Sequence, residues 1–255
     1  MRNTENNEIS AEAFRPKNDR ERWAGRPQAW YDARVAYLSG LMTPEREGTL
    51  RRVAEMRTRY LTFCTENTFH PQNASALLRS AEAFGLQDVH AVENLCKFRP
   101  NTRIVRGTDQ WLDLHRHAST AGALADLRRR GYRIVATTPH AGDRTPETLD
   151  VESGPLALVF GTEHAGISRE VIEAADDFVR IPMCGFVESL NVSASAAVLL
   201  HVLTQRIRAC GAVEDRGAGT CRTALPLDDG FGARFGADTL PLRGKRIIRK
   251  RNDDT

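Results

Sequence analysis

The sequence predicts an α/β fold, a mostly parallel sheet with helices on both faces. Three observations predict it. Short apolar, β-branched runs alternate with segments of helical periodicity through the middle of the chain. Two of these runs, Leu156–Phe160 and Phe178–Met183, are short enough and apolar enough to be buried strands. Each of the two ends in a polar, glycine-containing loop, 161–166 and 184–191, that leads into a helix. Ligands of open α/β sheets bind beyond the carboxyl ends of the strands, so two such loops in tandem predict one ligand site.

Residues 1 to about 27 are rich in Asn, Glu, Arg and Pro and read as a disordered arm. Residues 28–42 carry apolar groups at helical spacing, with Trp30, Tyr31 and Tyr37 read as packing groups rather than base-stacking ones. Thr43-Pro44-Glu45 is a helix start, with a cap, a proline at the first position and an acid in the first turn; the helix runs to about Thr58. Tyr60–Thr65 is the first core strand, followed by a loop and a helix over Asn73–Phe84 that Gly85 closes. Asp88–Val92 is the second strand, 93–110 a polar connection, and Trp111–His115 a short third strand. A helix over Thr120–Arg130 ends at Gly131, and Tyr132–Thr137 is the fourth strand. The last helix runs from Leu190 to about Arg208. The chain thus divides into a polar arm (1–42), a core domain (43–210) and a basic, glycine-containing tail (211–255) that holds seven of the 19 glycines before residue 245.

Hydrophobic residues make up 41% and charged residues 27%, an ordinary balance for a folded domain. The net charge of +3 is unevenly spread: residues 243–251 hold six Lys or Arg and no acid, and arginine is dense in 46–59 and 128–133. Such patches suit a polyanion. Cys64, Cys96, Cys184, Cys210 and Cys221 include no CxxC pair, so neither a disulfide framework nor a zinc site is signalled, and a reduced, cytoplasmic setting is expected. No apolar run reaches membrane-spanning length, and the polar start is not a signal peptide.

The candidate site residues sit where strands give way to helices. Glu163 lies between Gly161 and Gly166, where it either serves the site or caps the following helix. This loop is not GxGxxG, and no Walker A loop is present, so a dinucleotide is disfavoured. Ser189 reads as an N-cap with Asn191 in the first turn, Asn73 as another N-cap, and Arg79 as an exposed helical arginine. His70, His140 and His164 share no metal-ligand spacing, and no nucleophile elbow appears, so no metal is expected.

In combination these residues form a pattern. Asn73-Ala-Ser-Ala-Leu-Leu-Arg79, then Gly161-Thr-Glu163-His-Ala-Gly166, then Ile181-Pro-Met with Ser189-Leu-Asn191, resemble the three ordered motifs of the SpoU/TrmH family. These are RNA ribose 2′-O-methyltransferases of the SPOUT superfamily, and the resemblance covers about 44 to 208. It implies a SPOUT-type α/β knot, with the C-terminal part of the sheet tied into a deep trefoil. It also implies S-adenosylmethionine as methyl donor, held at positions matching Thr137, Gly161, Ile181 and Leu190, with no metal required. The family works as a homodimer whose active site draws on both subunits. Arg79 resembles the residue that either takes the proton of the ribose 2′-OH or positions and stabilises the alkoxide, and Asn73 the one that orients it. Glu163, Ser189 and Asn191 resemble the residues that shape the site and place the ribose.

The extended match through residues 62–92 points to tRNA and its D-loop guanosine at position 18 of tRNA numbering. The alternatives are the same chemistry on ribosomal RNA or another tRNA position, and a non-catalytic RNA-binding module. Residues 1–42 are too short and hydrophilic for a compact RNA-binding domain, which favours tRNA. Arg51, Arg52, Arg57, Arg206, Arg208 and, in the basic run, Arg246 are the expected tRNA contacts.

Overall fold

The computed structural model describes residues 27–139, 144–162 and 165–211. The expected arm before residue 27, His140, the loop residues Glu163 and His164, and the tail with Arg246 lie outside the described residues. Two compact units divide the chain, with a boundary between Arg51 and Arg52. In the first, α1 spans Gln28–Ser39 and α2 starts at Pro44 with Glu45 and Glu47 in its first turn, ending at Glu55 just past the boundary. On α1, Trp30 meets the buried Tyr31 edge-on at 5.2 Å and takes the Arg34 guanidinium 3.3 Å from its ring centroid, so both rings pack locally; Tyr37 is exposed.

The second unit is a six-stranded parallel sheet of order β3-β2-β1-β5-β4-β6. The strands are β1 Leu61–Glu66, β2 Asp88–Val92, β3 Asp113–His117, β4 Arg133–Thr137, β5 Leu156–Phe160 and β6 Asp177–Val179. The helices are α3 Pro71–Ala83, α4 Thr102–Val105, α5 Thr120–Arg129, α6 Arg169–Ala174 and α7 Val192–Ala209, with a 3₁₀ turn at Thr108–Trp111. Strand alternation sorts the core into two layers. Leu61, Phe63, Leu156, Leu158 and Phe160 face Leu77 and Leu78 of α3 and Leu199, Leu200 and Leu203 of α7. Cys64, Ile134, Ala157 and Val159 face Ala123, Leu124 and Leu127 of α5 and Val171 of α6. No helix of the described residues is long and apolar enough to cross a membrane.

Gly85 closes α3 as its sequence position predicts. At φ +82° it lets Leu86 N–H reach Ala81 O at 2.9 Å and its own N–H reach Glu82 O at 3.0 Å, a Schellman motif. The chain departs from expectation at five elements. The third strand is Asp113–His117, because Trp111 ends the 3₁₀ turn. The polar connection contains α4, capped by Asn101 and too short to show a period. Of the expected strand Phe178–Met183 only Phe178 and Val179 pair, with Asp177 added before them; Arg180–Met183 leave the ladder, as Pro182 has no N–H to give an edge strand. Finally, α7 starts at Val192 with Asn191, not Ser189, as its cap, while α3 starts at Pro71 and so carries Asn73 inside its first turn.

Candidate active site

The carboxyl ends of β4, β5 and β6 open onto a cleft of about 750 Å³. Its walls are Thr137 at the end of β4 with Thr138 and Pro139, then Gly161, Thr162, Ala165, Gly166 and Ile167 after β5, Arg180, Ile181 and Met183 after β6, and Glu188–Val192 leading into α7. Leu199 and Phe160 add apolar floor. Both loops singled out in the sequence therefore line one cavity.

Each wall has a local cause. Thr137 Oγ1 donates to Val159 O at 2.9 Å and ties the ends of β4 and β5. The loop after β5 folds back on itself, with Thr162 N–H to Gly166 O at 2.9 Å and Gly166 N–H to Thr162 O at 3.1 Å. A Cβ on Gly161 would stand 2.0 Å from Gly166 C and 2.2 Å from Ile167 N, so only glycine permits this fold-back. At α7, the Asn191 side-chain oxygen accepts from Ser193 N–H at 2.9 Å and Ser193 Oγ at 2.6 Å. The same amide donates to Asn73 Oδ1 at 3.1 Å, with Asn73 itself buried. One hydrogen bond thus joins the first motif to the third across 118 residues.

Thr137, Gly161, Ile181, Ser189, Leu190 and Asn191 all line the cleft, and Asn73 touches it through Asn191. Arg79 does not join them: it is exposed, with Nη1 donating to Ile104 O at 3.2 Å. Six residues along a helix are about 9 Å and about 240° of turn from Asn73, which puts the two on different faces. The residues that sequence reasoning passed over are Thr138, Arg180, Glu188 and Ser195, which also line the cleft. The signal for Arg180 was present, as it is a lone cation inside an apolar run that ends a strand.

The expected tRNA contacts separate. Arg51 and Arg52 are exposed, Arg51 in an i,i+4 pair with Glu47. Arg57 is a correction: it is buried and donates to Gln87 Oε1 at 2.6 Å, Leu86 O at 2.6 Å and Trp111 O at 2.7 Å, so it braces the interior and offers nothing to a phosphate. Arg206 is half-buried and donates to Pro146 O at 2.8 Å and Leu149 O at 2.6 Å. Arg208 reaches Met56 O, just past α2, at 3.3 Å and Phe84 O, at the end of α3, at 3.5 Å. Both turn inward, away from the role expected of them.

The SpoU rRNA Methylase family profile matches residues 60–201, more than half of the chain. The chain belongs to the SpoU methylase family. This SpoU methylase is 39% identical over 175 residues to a tRNA (guanosine(18)-2'-O)-methyltransferase of Borreliella burgdorferi, covering 69% of this chain and 80% of that one. It is 35% identical over 172 residues to the enzyme of the same name from Thermus thermophilus, covering 66% and 88%. A 23S rRNA (guanosine-2'-O-)-methyltransferase of Pseudomonas aeruginosa is 34% identical over 149 residues, covering 57% and 59%. Among solved structures, the A. aeolicus TrmH/SpoU tRNA modifying enzyme superposes with a TM-score of 0.63 at 25% identity, covering 76% of this chain and 98% of that one. The SpoU methyltransferase AviRb of Streptomyces viridochromogenes, in complex with AdoMet, gives 0.51 at 25% identity, covering 59% and 58%.

A cluster of perturbed titratable groups in this SpoU methylase lies elsewhere, on β2, β3 and α5. Burial, then the neighbouring His115 charge, drives His90 down to about 3. Asp88 is held well below the usual carboxylate range: burial opposes this, but His115 at 2.7 Å and Arg59 outweigh it. His90 Nδ1 lies 3.0 Å from His117 Nε2 and 4.0 Å from Asp126 Oδ2, a set spaced as metal ligands are. Asp126, however, already receives Arg129 and, at 2.9 Å, Arg130, and a dication would have to displace or face both. We therefore read the cluster as a buried hydrogen-bond network. Burial pushes the Cys64 thiol up, far from the thiolate range a nucleophile needs.

Proposed function

We propose that this SpoU methylase transfers a methyl group from S-adenosylmethionine to a ribose 2′-hydroxyl of tRNA, at the D-loop guanosine 18 that its relatives' names specify. The observation that carries the reading is the cleft in which the Gly161 fold-back, Ile181 and the Asn73–Asn191 bond bring all three motifs to one edge of the sheet.

The residues present fit the donor. The Gly161 fold-back exposes main-chain groups to the cavity, and Ile181, Leu190 and Leu199 give apolar walls for a nucleoside ring. Thr137, Gly161, Ile181 and Leu190 would hold it. When bound, S-adenosylmethionine supplies an activated methyl group on a sulfonium, so the protein's task is alignment and removal of one hydroxyl proton. Asn191, fixed as the α7 cap, and Ser189 beside it place the ribose. A guanidinium is a donor and a very poor proton acceptor, so the role of Arg79 is to hold the substrate phosphate and stabilise the developing 2′-oxyanion. Glu163, which stands between Gly161 and Gly166 in the sequence, lies outside the described residues.

Because Arg79 stands outside its own chain's cleft, the complete site needs the Arg79 of a second copy. A homodimer is supported by the exposed apolar rim: Phe186, Val187, Leu190 and Val198 are all solvent-accessible in a single chain. The trefoil knot belongs to the same proposal. After β6 at the sheet edge the chain runs back across β4 and β5 through 180–191 to α7, which packs on α3. Free Cys64, Cys96, Cys184 and Cys210 suit a reducing cytoplasm.

The test is methyl transfer from labelled donor to unmodified tRNA transcript, with the product mapped. A 2′-O-methylguanosine at position 18 is expected. Methylation of 23S rRNA alone would move the protein to the second reading, which the resemblance to the Pseudomonas enzyme favours. Arg79→Ala is expected to abolish transfer and leave donor affinity within about twofold. Mixing it with a Gly161→Ala chain should restore about a quarter of wild-type activity, since half the dimers then hold one complete site. No recovery on mixing would overturn the shared site.

A further inference from the structure

We propose that the segment joining β2 to β3, and within it Arg99, Arg103 and Arg106, is a rigid phosphate-binding lip that holds the RNA strand beside the cleft. The proposal rests on the RNA-methyltransferase reading above. From Asn94 to Thr108 the chain carries four cations, Lys97, Arg99, Arg103 and Arg106, and no acid. All four are exposed. Lys97 pairs with Glu93 at 3.3 Å. The guanidinium groups of Arg99, Arg103 and Arg106 have no carboxylate or hydrogen-bond partner among the described residues. Several other exposed arginines of the sheet unit are tied to acids, as Arg128 is to Asp176 and Arg169 to Glu173, whereas Arg52, Arg79 and Arg180 make no salt bridge among the described residues but do not cluster on one segment. A solvated, salt-bridged face therefore does not describe this segment.

The segment is also fixed in place. Phe98 and Val105 insert into the core. Asn101 N–H donates to Ser75 Oγ at 2.7 Å, Leu95 N–H to Asn67 Oδ1 at 2.9 Å, and Arg116 Nη1 to Phe98 O at 3.0 Å. Arg79 Nη1 donates to Ile104 O, so the expected catalytic arginine and the lip share a contact. Arg106 ends α4 in the left-handed region at φ 52°, a conformation an arginine adopts at a cost of about 1 kcal/mol. Cations held on a pinned backbone bind a phosphate chain with less ordering loss than free side chains on a mobile loop.

Position completes the argument. The sheet is parallel throughout, so the segment leaves β2 at the same edge that bears the cleft. β2 is two strands from β5 and three from β4, roughly 10–15 Å at the usual spacing. A nucleic-acid strand rises about 3.4 Å per nucleotide, so phosphates about three or four nucleotides from the target ribose reach the lip.

The experiment compares wild type with the triple variants Arg99→Gln/Arg103→Gln/Arg106→Gln and Arg99→Lys/Arg103→Lys/Arg106→Lys. It measures tRNA affinity over a salt series, donor affinity, and turnover at saturating tRNA. The glutamine variant should bind tRNA at least tenfold more weakly, with a log K against log salt slope shallower by about 2–3. Its donor affinity and saturated turnover should stay within about twofold of wild type, and the lysine variant should recover most of the affinity. Wild-type affinity and slope in the glutamine variant would overturn the lip and leave the methyltransferase reading standing. A wild type that transfers no methyl group yet shows the slope change would keep the lip and overturn that reading.

Discussion

Arg57 shows how one residue's surroundings decide its role. In the sequence it is one of several arginines before the first core strand; in the fold its guanidinium satisfies Gln87 and two main-chain carbonyls from separate segments. Glu82 stands 3.8 Å away as its nearest acid. Arg57→Ala would strand those acceptors out of reach of water. We expect it to lower stability by about 2–4 kcal/mol and Tm by roughly 5–10 °C, while leaving the salt dependence of tRNA binding unchanged. Thermal melts and a salt titration on the same preparation check both halves; an altered salt slope with an unmoved Tm would return Arg57 to the RNA-binding surface. Asn191 makes the complementary point. Its identity as the α7 cap frees Ser189 to face the cleft, and its amide is consumed at both ends, by Ser193 and by Asn73.

At the scale of elements, the Gly161 loop is the feature most dependent on a single residue. Its two cross-bonds require main-chain atoms to approach within the volume of a methyl group. Gly161→Ala should therefore reduce donor affinity at least tenfold by calorimetry, with the global melt displaced by less than that of Arg57→Ala, since the loop lies beyond the carboxyl end of β5 and outside the core layers. Donor affinity equal to wild type would show that the fold-back is not what shapes the cavity. This loop, β2, β5, and the glycine that ends α3 were legible in the sequence, because glycine chemistry and β-branched runs are local signals. The misread elements depend on distant partners. β6 is three residues long because β4 is its one neighbouring strand, with a single bridge from Val179 to Arg144 on its other side. β3, expected over Trp111–His115 and found over Asp113–His117, has no apolar alternation to show, since it lies at the other edge and is only partly buried. Arg79 and Asn73 share a motif, yet the helix turns them to different faces, which spacing in sequence alone does not reveal.

For the whole molecule, the buried imidazole network makes stability depend on pH. His90 binds its proton only near pH 3 in the fold, against about 6.5 for the free side chain. Between these values the unfolded chain holds more protons, so stability falls as pH drops from about 6.5 towards 3. The His90 share approaches about 1.4 kcal/mol per pH unit, and burial pushes His117 in the same direction. Asp88, whose folded pKa is depressed, adds its loss only below about pH 4, so a urea series from pH 7 to 4.5 isolates the imidazoles. His90→Asn should flatten that limb; an unchanged slope would place the acid sensitivity elsewhere. The strand order carries a different consequence, for biosynthesis. The central strand β1 finds its neighbour β5 only at Leu156, and its apolar face is covered in part by α7, the last described helix. No nascent chain shorter than about 210 residues can bury that face, so this unit folds late, after most of it has left the ribosome, and slowly, because its contacts are far apart in sequence. Chains arrested before α7 should remain protease-sensitive, and resistance should appear in one step once that helix emerges.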